Sequence, residues 1–130
     1  MPVYRFTVPT GSASWERRAE VAAATTKVHA EVTGAPARYV HCSFVQAEPD
    51  SLFVGGQAAS SHRMIGLIRT GRSPALRGRL MHEIADAWSE ITGTPKESIA
   101  IFLHEVPGAN VLEYGVILPE ADQDPGAVSE

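Results

Sequence analysis

Apolar residues follow two periods along this chain, first the short period of a strand and then the 3.6-residue period of a helix, and the sequence of periods runs twice. Residues 2–8 (Pro-Val-Tyr-Arg-Phe-Thr-Val), with Val3, Phe6 and Val8 among β-branched and aromatic neighbours, predict a strand. Pro2 suits its start, where the ladder does not need the missing N–H. Thr10-Gly11-Ser12 breaks the strand, and Ser12 or Ser14 can cap an Ala-rich helix over about residues 15–32. Glu16 lies in its first turn, and Gly34 with Pro36 stops it. Residues 37–46 predict a second strand, Glu48-Pro49-Asp50 a turn, and Leu52-Phe53-Val54 a short apolar stub before Gly55-Gly56.

The pattern then restarts. Residues 63–69 predict a strand, and Ser73-Pro74 is a helix start, an N-cap followed by proline at the first helical position. Leu76, Leu80, Ile84, Ala87, Trp88 and Ile91 form one stripe at helical spacing, ended by Gly93 and Pro95. Residues 98–103 are the next strand, Pro107-Gly108 a turn, and residues 111–118 a closing stub. A shift of 59 residues lays Val-Thr-Gly-Ala-Pro (32–36) on Ile-Thr-Gly-Thr-Pro (91–95), Leu52-Phe53 on Val111-Leu112, and Gly56 on Gly115. The expected fold is α+β. Two fused β-α-β units (2–57 and 62–118) form a four-stranded mixed sheet with both helices on one face. One domain spans residues 1–118, and an acidic tail, 119–130, is loose or lies across a neighbour. The other sheet face has too few charges to stay wet, which predicts a closed oligomer, most naturally a homotrimer.

Composition narrows the function. At 130 residues the chain is one domain with a real core. A net charge of −4 argues against a nucleic acid or an anionic membrane as partner. There is no apolar run of membrane-span length and no basic–apolar leader, and the single Cys42 fits a reducing compartment; a cytoplasmic protein is expected. The five histidines show no paired ligand spacing, so no metal is expected.

Position 2 is the candidate for chemistry, although a proline there is common and usually carries none. A proline there is small enough for methionine aminopeptidase to remove Met1, leaving Pro2 with a terminal secondary amine. A chain terminus titrates at about 7.7–8.0. Nearby cations lower that value, and a neutral amine is a competent base or nucleophile. The repeat makes the two leading strands antiparallel neighbours, which brings Pro2 near Arg69 and the turn holding Arg72. Two guanidiniums beside a helix N-terminus suit a carboxylate, though two loop arginines are also compatible with solvated charges. Glu113 replaces an apolar residue of the first half (Val54). It reads equally as a base in apolar surroundings or as a rim ion pair. His29 reads as a hydrogen-bond donor to a substrate oxygen or as a surface histidine. Cys42 is a small core residue rather than a nucleophile.

Pro2 after Met1, the two β-α-β halves, Arg69-Thr-Gly-Arg72-Ser-x-x-Leu and Val111-Leu-Glu113-Tyr-Gly resemble the tautomerase superfamily over about residues 2–119. The closest resemblance is to the branch of cis-3-chloroacrylic acid dehalogenase. It implies a cofactor-independent enzyme in which Pro2 is the catalytic amine, Arg69 and Arg72 hold a small carboxylate substrate, His29 helps bind it, and Glu113 orients or activates water. The dehalogenase pattern has a tyrosine where this chain has Phe102, so the hydroxyl that helps position water is missing. The expected activity is therefore tautomerisation of phenylenolpyruvate-like 2-keto acids, with weak dehalogenation or hydration. The alternatives are a true dehalogenase or hydratase of unsaturated three-carbon acids, and a carboxylate-binding module without catalysis.

Overall fold

The computed structural model describes residues 1–128. Strand β1 (Val3–Pro9) leads into α1 (Ala13–Glu16) and α2 (Arg18–Thr33), then β2 (His41–Ala47) and a hairpin of β3 (Phe53–Val54) with β4 (Gln57–Ala58). The second half repeats this order: β5 (His62–Arg69), α3 (Pro74–Thr92), β6 (Ile99–Val106), and a hairpin of β7 (Leu112–Glu113) with β8 (Val116–Ile117). The long strands form one mixed sheet in the order β2-β1-β5-β6. Its centre is the antiparallel pair β1–β5, and each edge strand is parallel to the leading strand of its own half.

Local chemistry explains most element ends. The Ser12 hydroxyl accepts from Trp15 N–H and the Ser73 hydroxyl from Leu76 N–H, each satisfying a free amide of a first turn. Gly34 (φ 79°) and Gly93 (φ 74°) close the helices in the left-handed conformation. Two expectations shift. Residues 15–32 are two helices, because Arg17 leaves helical geometry (φ −106°) while its side chain binds Glu20 and the Ile91 carbonyl. The strand expected from residue 37 begins at His41, because Ala37–Tyr39 after Pro36 form a tight 3₁₀ turn, as Lys96–Ser98 do after Pro95.

The helices cover one sheet face. Tyr4, Phe6 and Val8 of β1 point into that core with Met64, Ile68, Leu76, Leu80, Ile84 and Trp88. Val3, grouped above with Phe6, points the other way, since residues of opposite parity on a strand face opposite sides. Phe6 stacks on Phe44 (4.4 Å between ring centres) and meets Trp88 edge-on (5.1 Å), whose indole N–H donates to Ser14 Oγ at 2.8 Å. Each such side chain contributes about 1.5–3 kcal/mol on burial. The opposite face leaves Val3, Val45, Ile65, Leu67 and Phe102 exposed.

The stretch from Pro119, expected to be loose or to lie across a neighbour, lies on its own chain. Ala121 N–H donates to the Thr70 carbonyl (2.9 Å), Val128 N–H to the Thr33 carbonyl (3.2 Å), and Gly108 N–H to the Glu120 carboxylate (2.6 Å). Two glycines make room for it. A Cβ at Gly71 would stand 2.8 Å from Asp122 N, and one at Gly34 would stand 2.1 Å from the Gly126 carbonyl oxygen. Residues 129 and 130 of the expected tail lie outside the described residues.

Candidate active site

The antiparallel β1–β5 register sets Val3 opposite Leu67, so the chain start runs toward Arg69. Met1 and Arg69 line one cavity of about 610 Å³ together with Glu113 and Tyr114 of the second hairpin and Asp124 of the tail. The terminal ammonium of Met1 donates to both carboxylate oxygens of Glu113. The pair is well shielded, with side-chain exposures of 5% and 15%. Pro2, here joined to Met1 through an amide, is buried beside it, and its carbonyl accepts from His41 N–H at 3.0 Å.

Glu113 reaches the terminus because its hairpin turns sharply through Tyr114 (φ 50°) and Gly115 (φ 85°). Two successive left-handed residues form the turn that matches the twist of paired strands. The Tyr114 ring stacks on His41 (6.1 Å), with its hydroxyl 3.2 Å from His41 Nε2.

Arg69 ends β5 and is buried; its guanidinium binds the carboxylate of Asp124 and donates to the Pro119 carbonyl at 2.8 Å. Arg72 is half-buried in the turn before α3, and its guanidinium donates to the Arg69 carbonyl at 3.5 Å. Burial, then the nearby Arg69 charge, pulls its pKa below the usual arginine value. No ion pair holds Arg72 among the described residues, whereas Arg69 has Asp124 and Arg77 has Glu105.

His29 is fully buried on the inner face of α2, in phase with Val21, Thr25 and Val32. Its ring is held to about pKa 3 by burial first, then by the charges of Arg72, the chain terminus and Arg69. It is therefore neutral. The Tyr4 hydroxyl lies 2.6 Å from His29 Nδ1, and burial pushes the phenol pKa upward, so Tyr4 keeps its proton; with no other acceptor for that proton among the described residues, we assign the hydroxyl as the donor to Nδ1. That leaves the proton of the neutral ring on Nε2, which has no hydrogen-bond partner among the described residues. A buried N–H without a partner costs on the order of 1–3 kcal/mol, and it is a ready donor for a substrate oxygen.

The structure thus gathers the chain terminus, Glu113 and Arg69 around one cavity; Arg72 and His29 do not line it, but the charges of Arg72, the terminus and Arg69 all act on the His29 ring. Phe102 is not brought to this cavity. It pairs with Ile65 and shares that residue's exposed sheet face, away from the helices. Tyr4 and Asp124 went unnoticed in the sequence. Tyr4 was readable from its inward parity with Phe6 and Val8. Asp124 carried no signal, because its partner lies 55 residues away.

Comparison with known proteins agrees with this architecture. The family described as "Putative oxalocrotonate tautomerase enzyme" matches residues 1–127. The crystal structure of native Ps01740 is 32% identical, with a TM-score of 0.80 over 85% of this chain and 99% of that one. The crystal structure of N1, a member of the cis-3-chloroacrylic acid dehalogenase (cis-CaaD) family, is 30% identical, with a TM-score of 0.86 over 92% of this chain and 85% of that one. A wild-type fused 4-OT, described as an asymmetric trimer, shares the fold at 20% identity and a TM-score of 0.81, over 88% of this chain and 94% of that one. No curated protein matches the chain.

Proposed function

We propose a reaction from one premise: the chain belongs to the family of oxalocrotonate-tautomerase-like proteins. The reaction is keto–enol isomerisation of small 2-keto acids, phenylenolpyruvate among them. The observation that carries it is the contact of the chain terminus with Glu113 in a cavity that Arg69 also lines. Removal of Met1 makes Pro2 the terminus and turns its amide nitrogen into a secondary amine. The charge of Arg72 favours its neutral form, while Glu113, in direct contact, favours and holds the cation that forms when it takes a proton. The amine removes the enol hydroxyl proton, the C–O bond becomes a carbonyl, and the alkene electrons take the proton back at the neighbouring carbon. No proton is gained or lost overall. Arg72, which makes no ion pair among the described residues, anchors the substrate carboxylate with Arg69 beside it. The Nε2–H of His29 donates to a substrate oxygen. One amine and one carboxylate clamp suffice for this step, and no cofactor enters it.

The test is ketonisation of phenylenolpyruvate by protein whose N-terminus is verified by mass spectrometry. A positioned base is worth about 100-fold or more, and exchanging the ring-held secondary amine for a freely rotating primary one is expected to forfeit most of that in Pro2→Ala. Arg72→Ala loses a charge-assisted contact of roughly 2–3 kcal/mol, and kcat/KM falls by roughly 50-fold. Unchanged rates in both variants rule out the reading. A form that retains Met1 is inactive, and a protein that always retains it is a carboxylate-binding module instead.

A second reading, hydration or dehalogenation of unsaturated three-carbon acids, draws on Glu113 beside the amine and on the likeness to N1. It ranks lower because Phe102 supplies no hydroxyl, and losing one donor to a transition state costs on the order of 3 kcal/mol. Halide release from 3-haloacrylates that disappears in Glu113→Gln is its signature. The assembly we propose is a homotrimer closed over the apolar sheet face, in which Phe102 reaches a neighbouring protomer.

A further inference from the structure

Asp124 does for Arg69 what a substrate carboxylate is expected to do. Arg69 Nη1 donates to one carboxylate oxygen at 3.0 Å and Nη2 to the other, a two-point fork. The pair is shielded from water, with side-chain exposures of 8% and 23%. Nη1 donates in addition to the Pro119 carbonyl. Of the two guanidiniums expected to hold a substrate, one is therefore already paired from within the chain, while Arg72 makes no ion pair among the described residues and feels Asp124 and Glu105 only at longer range. Asp124 and Pro125 also line the cavity that holds the chain terminus and Glu113.

The segment carrying Asp124 is a strap fixed at both ends. Ala121 N–H ties one end to the Thr70 carbonyl and Val128 N–H ties the other to the Thr33 carbonyl. Between these anchors its backbone hydrogen bonds are local among the described residues: Gln123 to Glu120, Asp124 to Ala121, and Ala127 to Asp124. Fixed ends keep the Asp124 carboxylate beside Arg69 at a high effective concentration, and the Asp124 side chain itself is held only by Arg69 among the described residues.

We infer that Asp124 is a specificity-determining residue that acts as an internal competitor: a substrate carboxylate gains Arg69 only by displacing it. This rests on the reading of Arg69 and Arg72 as a carboxylate clamp. An anion that merely exchanges for Asp124 on Arg69 gains nothing net. An acid that engages Arg72 in the same event gains a second contact, with a guanidinium that no ion pair holds among the described residues, so the strap selects carboxylates held by both guanidiniums. Apparent affinity falls by the fraction of time the strap is open, and a strap closed about ten times more often than open weakens binding roughly tenfold.

The test titrates benzoate, an acid with no enolisable carbon, into Met1-processed protein by calorimetry. Asp124→Asn is expected to bind it roughly tenfold more tightly than the unsubstituted chain, and Asp124→Glu to return toward the weaker affinity. In the unsubstituted chain, saturating benzoate is expected to speed cleavage by a protease specific for the N-terminal side of aspartate, at Asp122 and Asp124. Chloride of equal ionic strength is expected to leave the cleavage rate unchanged. Equal benzoate affinities with unchanged cleavage overturn the strap and leave the clamp standing. Absence of benzoate binding in both proteins overturns the clamp and the strap together. If Asp124→Asn does not fold, the cleavage rate of the unsubstituted chain decides.

Discussion

His29 shows how one buried side chain ties the site to stability. Its ring is neutral because burial, helped by three nearby positive charges, holds its pKa near 3, against about 6.5 in an unfolded chain. Between those values the unfolded chain binds more protons than the folded one. Stability therefore rises with pH across this window and is lost as pH falls from about 6.5 toward 3. The slope approaches about 1.4 kcal/mol per pH unit well inside the window. His62, whose pKa burial also lowers, adds to the same limb. Melts of His29→Gln between pH 7 and 5 are expected to show a shallower acid loss than the parent; an identical pH dependence would show that His29 does not carry it. The sequence left His29 open between donor and surface residue. Its phase with Val21, Thr25 and Val32 was legible, but the weak apolar character of that stripe hid which side faced the sheet.

At the scale of elements, α3 is the best-written part of the chain. Ser73, Pro74 and a clean apolar stripe fix its start and its buried face from local chemistry alone. Because Arg72 immediately precedes the cap, the same hydrogen bond that starts the helix also fixes the turn that presents the guanidinium. Ser73→Ala is expected to cost about 1 kcal/mol in urea unfolding. It should also raise KM for carboxylate substrates more than it lowers kcat; a stability loss with unchanged KM separates the cap from the site. The hairpin that delivers Glu113 was less legible. Tyrosine seldom adopts a positive φ, so only Gly115 hinted at the turn, and its pairing on His41 joins residues 73 positions apart.

At the scale of the whole molecule, the sheet has one face covered by its helices and one left open, where an apolar patch lies beside Arg5 and Arg63. Val3, Ile65, Leu67 and Phe102 lie there on three adjacent strands. Such a patch fits the interface of the proposed homotrimer. Light scattering is expected to give about three times the 13.9 kDa mass of one chain. Ile65→Asp, which buries a charge in that interface, is expected to give single chains; a monomeric parent, or a trimer indifferent to Ile65→Asp, would place the contact elsewhere.

What the sequence determined by itself is what local chemistry and period dictate. It gave the two β-α-β halves, the capped helices, the central antiparallel pair that follows from their pseudo-symmetry, and the approach of the chain start to Arg69. What only the tertiary structure decided lies at contacts between distant segments. The tail came to rest on Arg69, Tyr4 fixed the His29 ring, and the hairpin set Glu113 on the terminus. These depend on relative placement after collapse, and no neighbouring residue or repeat encodes them.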